Sequence, residues 1–276
     1  MTSDIKPAMR RRRPKNYAAI FLGVWVALFL VFILMPMVAV VAVSFSAASF
    51  IAFPMPGLSL KWYARAFEYK PFMDSLLVSI ELALASAAVG AILGIPAALA
   101  IGRSRTAFAA GVGNFLLTPL SMPAIVLGFS LLYYLSVLHI ESGFPALLIV
   151  HSIIAIPYVS RTTLSVYRSI PVTHEEAAAV LGATRLGILR HVILPQVAPG
   201  VFTGAMFAVL ISFDNLPLSY FFGNAHTSTL PVVMLSYMEN QFDPSIAAIS
   251  VIQMLIAIAA LLVVHRLYGI QRLTSV

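Results

Sequence analysis

No cysteine occurs in the 276 residues, so disulfide bridges and thiolate metal sites are excluded. Charge is nearly as scarce. Asp, Glu, Lys and Arg make up 10% of the chain, where a soluble domain carries about a quarter. No G-x-x-x-x-G-K-[ST] is found, so the chain has no loop of its own to cradle a nucleotide's phosphates. H-E-x-x-H and the nucleophile elbow are missing too, and the six histidines are scattered. These absences speak against a catalytic centre or a metal site. What is abundant is apolar: 61% of the residues are hydrophobic. The net charge of +7 would suit nucleic acid if it lay on one soluble face. It lies instead between apolar segments, the pattern of a polytopic membrane protein.

Six apolar stretches stand out, at Tyr17–Phe45, Phe72–Ile101, Phe108–Leu138, Phe144–Val166, Pro199–Phe222 and Ile246–Leu267. Each reaches the ~20 residues that cross about 30 Å of hydrocarbon. An all-α integral membrane protein with six transmembrane helices is expected. The first stretch is too long for a cleaved signal peptide. Pro36, Pro96, Pro119, Pro123, Pro157 and Pro217 lie in or near these segments. A helix bundle tolerates them because neighbouring helices satisfy the freed carbonyls. With the N-terminus inside, fourteen Lys and Arg residues fall on the cytoplasmic side and three, Lys61, Arg65 and Lys70, fall outside. That bias predicts cytoplasmic termini. The Arg10–Arg13 run then reads as a topology anchor among lipid headgroups. The organisation expected is a basic tail over 1–16, a first helix and outer loop over 17–71, a transmembrane domain over 72–268, and a short tail over 269–276.

The segment between the fourth and fifth spans, near 168–196, falls on the cytoplasmic side by this count. Pro171 can open a helical turn there, and Thr173 can cap it with Glu176 at capping-box spacing. Ala177, Ala178 and Ala179 keep the helix slim, so a partner can approach its backbone. Gly182 permits a turn that a side chain would resist. Leu186, Leu189 and Val192 repeat at helical spacing and would anchor a second short helix. Pro195 would limit helical continuation before the fifth span. Glu176-Ala177-Ala178, three residues, Gly182, nine residues, then Val192-Ile193-Leu194-Pro195 resembles the EAA loop of bacterial ABC importer permeases, with Val192 in the isoleucine position.

Further matches run along the chain. Ser44-Phe45-Ser46, Gly57 to Tyr63, Ser212 to Ser219, Thr229-Leu230-Pro231-Val232, Ser236-Tyr237 and Asp243-Pro244 resemble the second permease of spermidine/putrescine-type importers. The resemblance implies a type I ABC importer permease fold in the bacterial inner membrane. It also implies a non-catalytic subunit that works with two copies of a cytoplasmic ABC ATPase, a second related permease and an external substrate-binding protein. ATP would be bound by the ATPase subunits, and this chain would hold no cofactor. A polyamine is the solute implied first; amino-acid derivatives, phosphonates, thiamine and ferric iron are the alternatives within the subgroup. A secondary transporter would show inverted repeats, and a channel a filter-like loop. Neither stands out here.

Glu81 and Asp214 are the acids placed within spans, where a charge costs about 2.5–3.5 kcal/mol. At 1.5 Å per residue Asp214 lies roughly 22 Å from the inner end of its span, and Glu81 roughly 13 Å below the outer end of its own. Both depths fall in the outer half of the membrane. Two carboxylates at one level would form a way-station for a cationic solute, with Asn215 and Ser219 as neutral hydrogen-bonding neighbours. The alternative is an interhelical bond or a partner for a cation of the sister subunit. His151, within the fourth span, is expected to bond a neighbouring helix.

Overall fold

The computed structural model describes residues 17–51, 56–241 and 243–268; the tails expected over 1–16 and 269–276 lie outside the described residues. Among the described residues the chain is helical, with one isolated antiparallel bridge between Ser46 and Leu58. The helices are α1 (Tyr17–Ser44), α2 (Lys61–Glu68), α3 (Lys70–Gly102), α4 (Ala107–Ser121), α5 (Ala124–Val137), α6 (Phe144–Ser169), α7 (Thr173–Val180), α8 (Arg185–Ile188), α9 (Leu194–Phe213), α10 (Leu216–Phe222), α11 (Leu230–Asn240) and α12 (Ser245–Tyr268).

Five helical stretches are long and apolar enough to cross a membrane: Phe21–Ser44, Lys70–Gly102, Phe144–Ser169, Arg185–Phe213 and Ser245–Val263. The remaining expected span is not a single straight helix. The stretch expected over Phe108–Leu138 is the pair α4 and α5, bent by 107°. The cause is local: Met122 precedes a proline and is pushed to extended backbone, with ψ at 142°, while Pro123 caps α5. By contrast α1, α3 and α6 run through Pro36, Pro96 and Pro157 without a break.

The fifth stretch departs from expectation at both ends. Pro195 does not stop a helix. A π-turn over Leu189–Ile193 widens the backbone just before it, and Leu194 N–H reaches back to the Leu189 carbonyl. A wider turn relieves the collision of a proline ring with the carbonyl four residues earlier, so the helix passes through. At the far end α9 stops at Phe213. Asp214 and Asn215 leave helical geometry, and α10 is a separate short helix.

Helices α3, α6 and α9 form the centre of the bundle. Lipid supplies no hydrophobic drive for helix association, so close packing must hold them. Small residues make it feasible. A Cβ on Gly204 of α9 would lie 2.7 Å from the Val159 Cα of α6, and one on Gly94 of α3 would lie 3.0 Å from the Ile156 carbonyl oxygen. A buried polar chain runs through the same core. The Ser86 hydroxyl bonds Ser212 Oγ at 3.0 Å, and the His151 ring bonds Ser212 Oγ at 2.8 Å and Ser219 Oγ at 3.1 Å. His151 is 2% exposed and makes the interhelical bond expected of it.

The two ends of α6 differ. At its N-terminal end α2 and α11 close over the bundle. Buried Trp62 donates its indole N–H to the Ser46 carbonyl at 2.9 Å, and Tyr237 donates its hydroxyl to Asp243 at 2.8 Å. Burial and the bond to Asp243 hold the Tyr237 hydroxyl above its usual pKa. Arg65 completes the knot with a 3.4 Å ion pair to Asp243. At the C-terminal end of α6 lie the segments Ser104–Thr106 and Ile170–Thr184, beside a smaller buried cluster of Tyr167, Ile170, Ile193 and Val197.

Candidate functional site

The helix α7 carries the Glu-Ala-Ala motif and buries none of its residues. Its start differs from the capping-box expectation. Val172 occupies the N-cap position with no side-chain cap, and Thr173 is already the first helical residue. Pro171 precedes this turn, and the Glu175 N–H bonds the Val172 carbonyl at 2.9 Å. The end of α7 matches the glycine reading. Gly182 takes φ 83°, its N–H bonds the Ala179 carbonyl, and the Ala183 N–H bonds the Ala178 carbonyl, both at 3.0 Å. This is a Schellman turn, which satisfies two of the carbonyls a helix end leaves open. Thr184 then caps α8, its hydroxyl accepting the Gly187 N–H at 3.1 Å.

The surface presented is apolar. Val180 and Leu181 are each 88% exposed and Leu186 is 71% exposed. Leu186 therefore does not anchor the second short helix. Ile188, Leu189 and Ile193 do, packing with Tyr167, Ile170 and Val197. Glu176, Ala177, Gly182 and Pro195 are exposed, and Ala178 is half-buried.

Neighbouring acids in α7 take different roles. Glu175, which sequence reasoning passed over, faces the bundle. Its Oε1 accepts from Arg103 Nη2 at 2.7 Å and from Nε at 3.0 Å. The same guanidinium donates to the Ile170 carbonyl at 2.9 Å and lies 4.4 Å from the centre of the Tyr167 ring. Burial, the largest single influence, pulls the Arg103 pKa down, but the bonds and charges of Glu175 and Tyr167 together outweigh it, so the group ends above its ordinary value. On another side of α7, His174 Nδ1 lies 2.9 Å from Gln196 Oε1. The signal for Arg103 was its place in the short loop after the second apolar stretch, where it counted toward topology alone.

The intramembrane acids are not joined. Glu81 lies on the exposed face of α3 with Asp74, Leu77, Leu84 and Ala88. Asp214 accepts from Gln253 Nε2 at 3.3 Å and borders a cleft of about 370 Å³ with Ser250, Gln253 and Met254 of α12. Their chain neighbours Ile80 and Phe213 line one apolar cleft, of which neither acid is part. No hydrogen bond or ion pair connects them among the described residues. The expected neutral neighbours are committed elsewhere. Asn215 caps α10, accepting the Leu218 N–H at 3.2 Å, and Ser219 is buried against His151. Among the described residues no three His, Asp or Glu side chains gather as a metal site.

Comparison with known proteins fits this arrangement. Residues 90–272 match the family model described as binding-protein-dependent transport system inner membrane component. The spermidine/putrescine transport system permease protein PotC of Haemophilus influenzae is 30% identical over 203 residues, spanning 74% of this chain and 79% of that protein. The putrescine transport system permease protein PotI of Escherichia coli K12 is 29% identical over 226 residues, spanning 79% of this chain and 80% of PotI. A chain of the bacterial ABC transporter that imports the acidic polysaccharide alginate superposes with a TM-score of 0.71 at 19% identity, covering 94% of this chain and 99% of that one. The fold is that of a type I ABC importer permease. A multi-pass helical bundle with a motif-bearing helix at one end and a match over residues 90–272 leads to one assignment: the chain belongs to the binding-protein-dependent transport system inner membrane components, the permease subunits of ABC importers.

Proposed function

We propose that this permease moves a small cationic solute, a polyamine of the spermidine/putrescine class, released to it by an external binding protein. The feature that supports the reading is the pair of intramembrane acids, Glu81 and Asp214, both exposed on the single chain. A carboxylate facing hydrocarbon is costly, so such a face calls for water, a cation or a partner. The names of PotC and PotI favour the polyamine.

In this reading a second related permease supplies the other wall of the pathway, making a heterodimer. Two copies of an ABC ATPase bind and hydrolyse ATP, and this chain is a non-catalytic subunit. Helix α7 seats in the ATPase, with Glu176, Ala177 and Ala178 on or beside the docking face and Gly182 turning the chain away. Pro195 shapes the return into α9. ATP draws the ATPases together, α7 carries that motion into the bundle, and the pathway opens outward to accept the solute. The fourteen-to-three distribution of Lys and Arg supports cytoplasmic termini and a cytoplasmic α7. Residues 72–268 form the transport domain, with 17–71 as an added helix and outer loop.

The test is uptake by the complex reconstituted in proteoliposomes with its binding protein and internal ATP. Labelled spermidine or putrescine should accumulate, and Asp214→Asn should lower that uptake sharply while complex recovery and basal ATP hydrolysis persist. Accumulation of a neutral or anionic solute in place of the polyamine would overturn the substrate. Loss of assembly in Asp214→Asn would make the carboxylate structural.

A further inference from the structure

We propose that Arg103 is the positioning residue that makes α7 rigid with the bundle, so that motion delivered to α7 moves α3 and α6 with it. The inference rests on the reading of α7 as the helix that meets the ATPase, and it concerns what happens on this chain's side of that contact.

The starting observation is that α7 has no buried residue, so packing alone does not hold it. The chain enters it through Ile170-Pro171 and leaves through the Gly182 turn. A short helix between two such points can swing. Force applied to a swinging helix would be absorbed at its ends and would not reach the membrane spans.

Side-chain bonds tie α7 to the bundle. Arg103 is the residue that ends α3, and its guanidinium reaches two further elements at once, α7 and the end of α6. It holds Glu175 of α7 by two hydrogen bonds at 2.7 and 3.0 Å, and the Ile170 carbonyl at the end of α6 by one at 2.9 Å. Its face covers the ring of Tyr167, also in α6, and the Tyr167 hydroxyl reaches Glu175 Oε2 at 3.4 Å. The residue before Arg103 is Gly102, where a Cβ would collide with that ring. A planar fork that bonds and stacks at the same time is something Arg provides and Lys does not. The ion pair is partly covered, its side chains 26% and 22% exposed, so water and salt screen it less than an open surface pair.

A second tie reaches a different helix. His174 meets Gln196 in the first turn of α9, and Gln196 Nε2 is itself held by the Val192 carbonyl at 2.8 Å. The two ties leave α7 toward α3 and α6 on one side and α9 on the other. These are the three helices that pack closest at the centre of the bundle. A push on α7 therefore reaches all three, and Arg103 carries it to two of them. Glu176 is left free for the outer face.

The experiment uses the complete complex in proteoliposomes with its binding protein, reading solute moved per ATP hydrolysed. Arg103→Glu and Glu175→Arg should each leave complex recovery and basal ATP hydrolysis within about twofold of the parent. Transport per ATP should fall about tenfold, within the range that loss of a contact pair produces. The double variant Arg103→Glu with Glu175→Arg should recover much of the loss, because the pair is restored with its charges exchanged. Arg103→Lys should sit between, keeping charge and losing the fork.

Unchanged transport per ATP in the single variants would overturn the proposal. So would uncoupled single variants that the exchange does not improve, or single variants from which the ATPase no longer copurifies. Failure of the parent complex to assemble with an ATPase would instead overturn the reading of α7 itself, which keeps the two claims separable.

Discussion

Two helices at opposite ends of α6 finish in the same backbone turn and fill its left-handed position with different residues. At the end of α7 it is Gly182, with φ 83°. At the end of α5 it is His139, with φ 58°, where the His139 N–H bonds the Ser136 carbonyl and the Ile140 N–H bonds the Leu135 carbonyl. Glycine occupies such a position without steric cost and histidine does not. A Cβ added at Gly182 would meet nothing within 4 Å, so the space around that turn is open on the chain's own side. The imidazole at the other turn lines a cleft of about 290 Å³ with Ser136, Glu141 and Phe222. One end of the bundle keeps its turn bare, and the other puts a side chain there.

The same contrast holds on a larger scale. Over the N-terminal end of α6, α2 and α11 bury Trp62, Phe72 and Tyr237 in one cluster. At the other end Val180, Leu181 and Leu186 remain exposed. The first end holds the larger buried cluster, with Leu58, Leu60 and Phe67 exposed beside it; at the second, α7 buries no residue and its apolar surface stays open. Changes at the first end should therefore lower stability and spare coupling, and changes at the second should do the reverse.

The largest effect is expected from Trp62→Ala. It removes a ring that is 4% exposed together with its bond to the Ser46 carbonyl. A substitution of this kind costs about 3–5 kcal/mol. Thermal unfolding of the purified complex should show a clear drop, while the ATPase recovered per folded permease stays constant. A loss of ATPase binding at unchanged stability would break the contrast.

Gly182→Val comes next. A β-branched residue forced to φ 83° is strained by about 1–2 kcal/mol. No collision adds to that within the chain, because the surrounding space is open. Since α7 buries nothing, the bundle should unfold at its usual temperature while ATPase recovery falls. Gly182→Asn should do less harm, as Asn accepts this conformation more readily. Equal behaviour of the two variants would point to a partner's groove, in place of the turn, as the reason for glycine.

These residues also show what the sequence can express. The spacing from Glu176 to Gly182 is local along the chain, so a turn that demands glycine is readable from it. The apolar lengths give the membrane class for the same reason. Which of two adjacent acids faces the bundle is another matter. It depends on how α7 is rotated about its axis, and that is set by Arg103, 72 residues earlier in the chain. Ser219 illustrates the same limit: a serine in an apolar run reads alike whether it meets water or the His151 ring. The break at Asp214 was hidden because Asn215 caps the next helix through its own side chain, and an apolar stretch on either side conceals the interruption. Pro195 misled in the opposite direction, since a π-turn absorbs it.

A smaller effect belongs to Thr184→Ala at the start of α8. The threonine hydroxyl accepts the Gly187 N–H, and loss of such a cap costs about 1 kcal/mol. Hydrogen exchange over 184–190 should quicken, with the spans unaffected. Exchange that quickened equally in α3 and α6 would show that this end is knitted into the bundle more tightly than the contrast allows.

The smallest effect, and the one of opposite sign, is expected at the other Schellman turn. His139→Gly relieves a side chain held at φ 58°, a gain of about 1 kcal/mol or less where the native backbone is kept. Part of that gain is offset, because glycine also makes the unfolded chain freer. The turn itself should persist, since its two backbone bonds involve no side chain. Thermal unfolding should therefore shift slightly upward or not at all, with transport per ATP unchanged. A fall in stability would show that the imidazole holds the cleft together through Ser136, Glu141 or Phe222. Intact stability with impaired response to the loaded binding protein would place His139 in the outer contact. That second result would make the end of α5 as partner-directed as the end of α7 and erase the contrast between them.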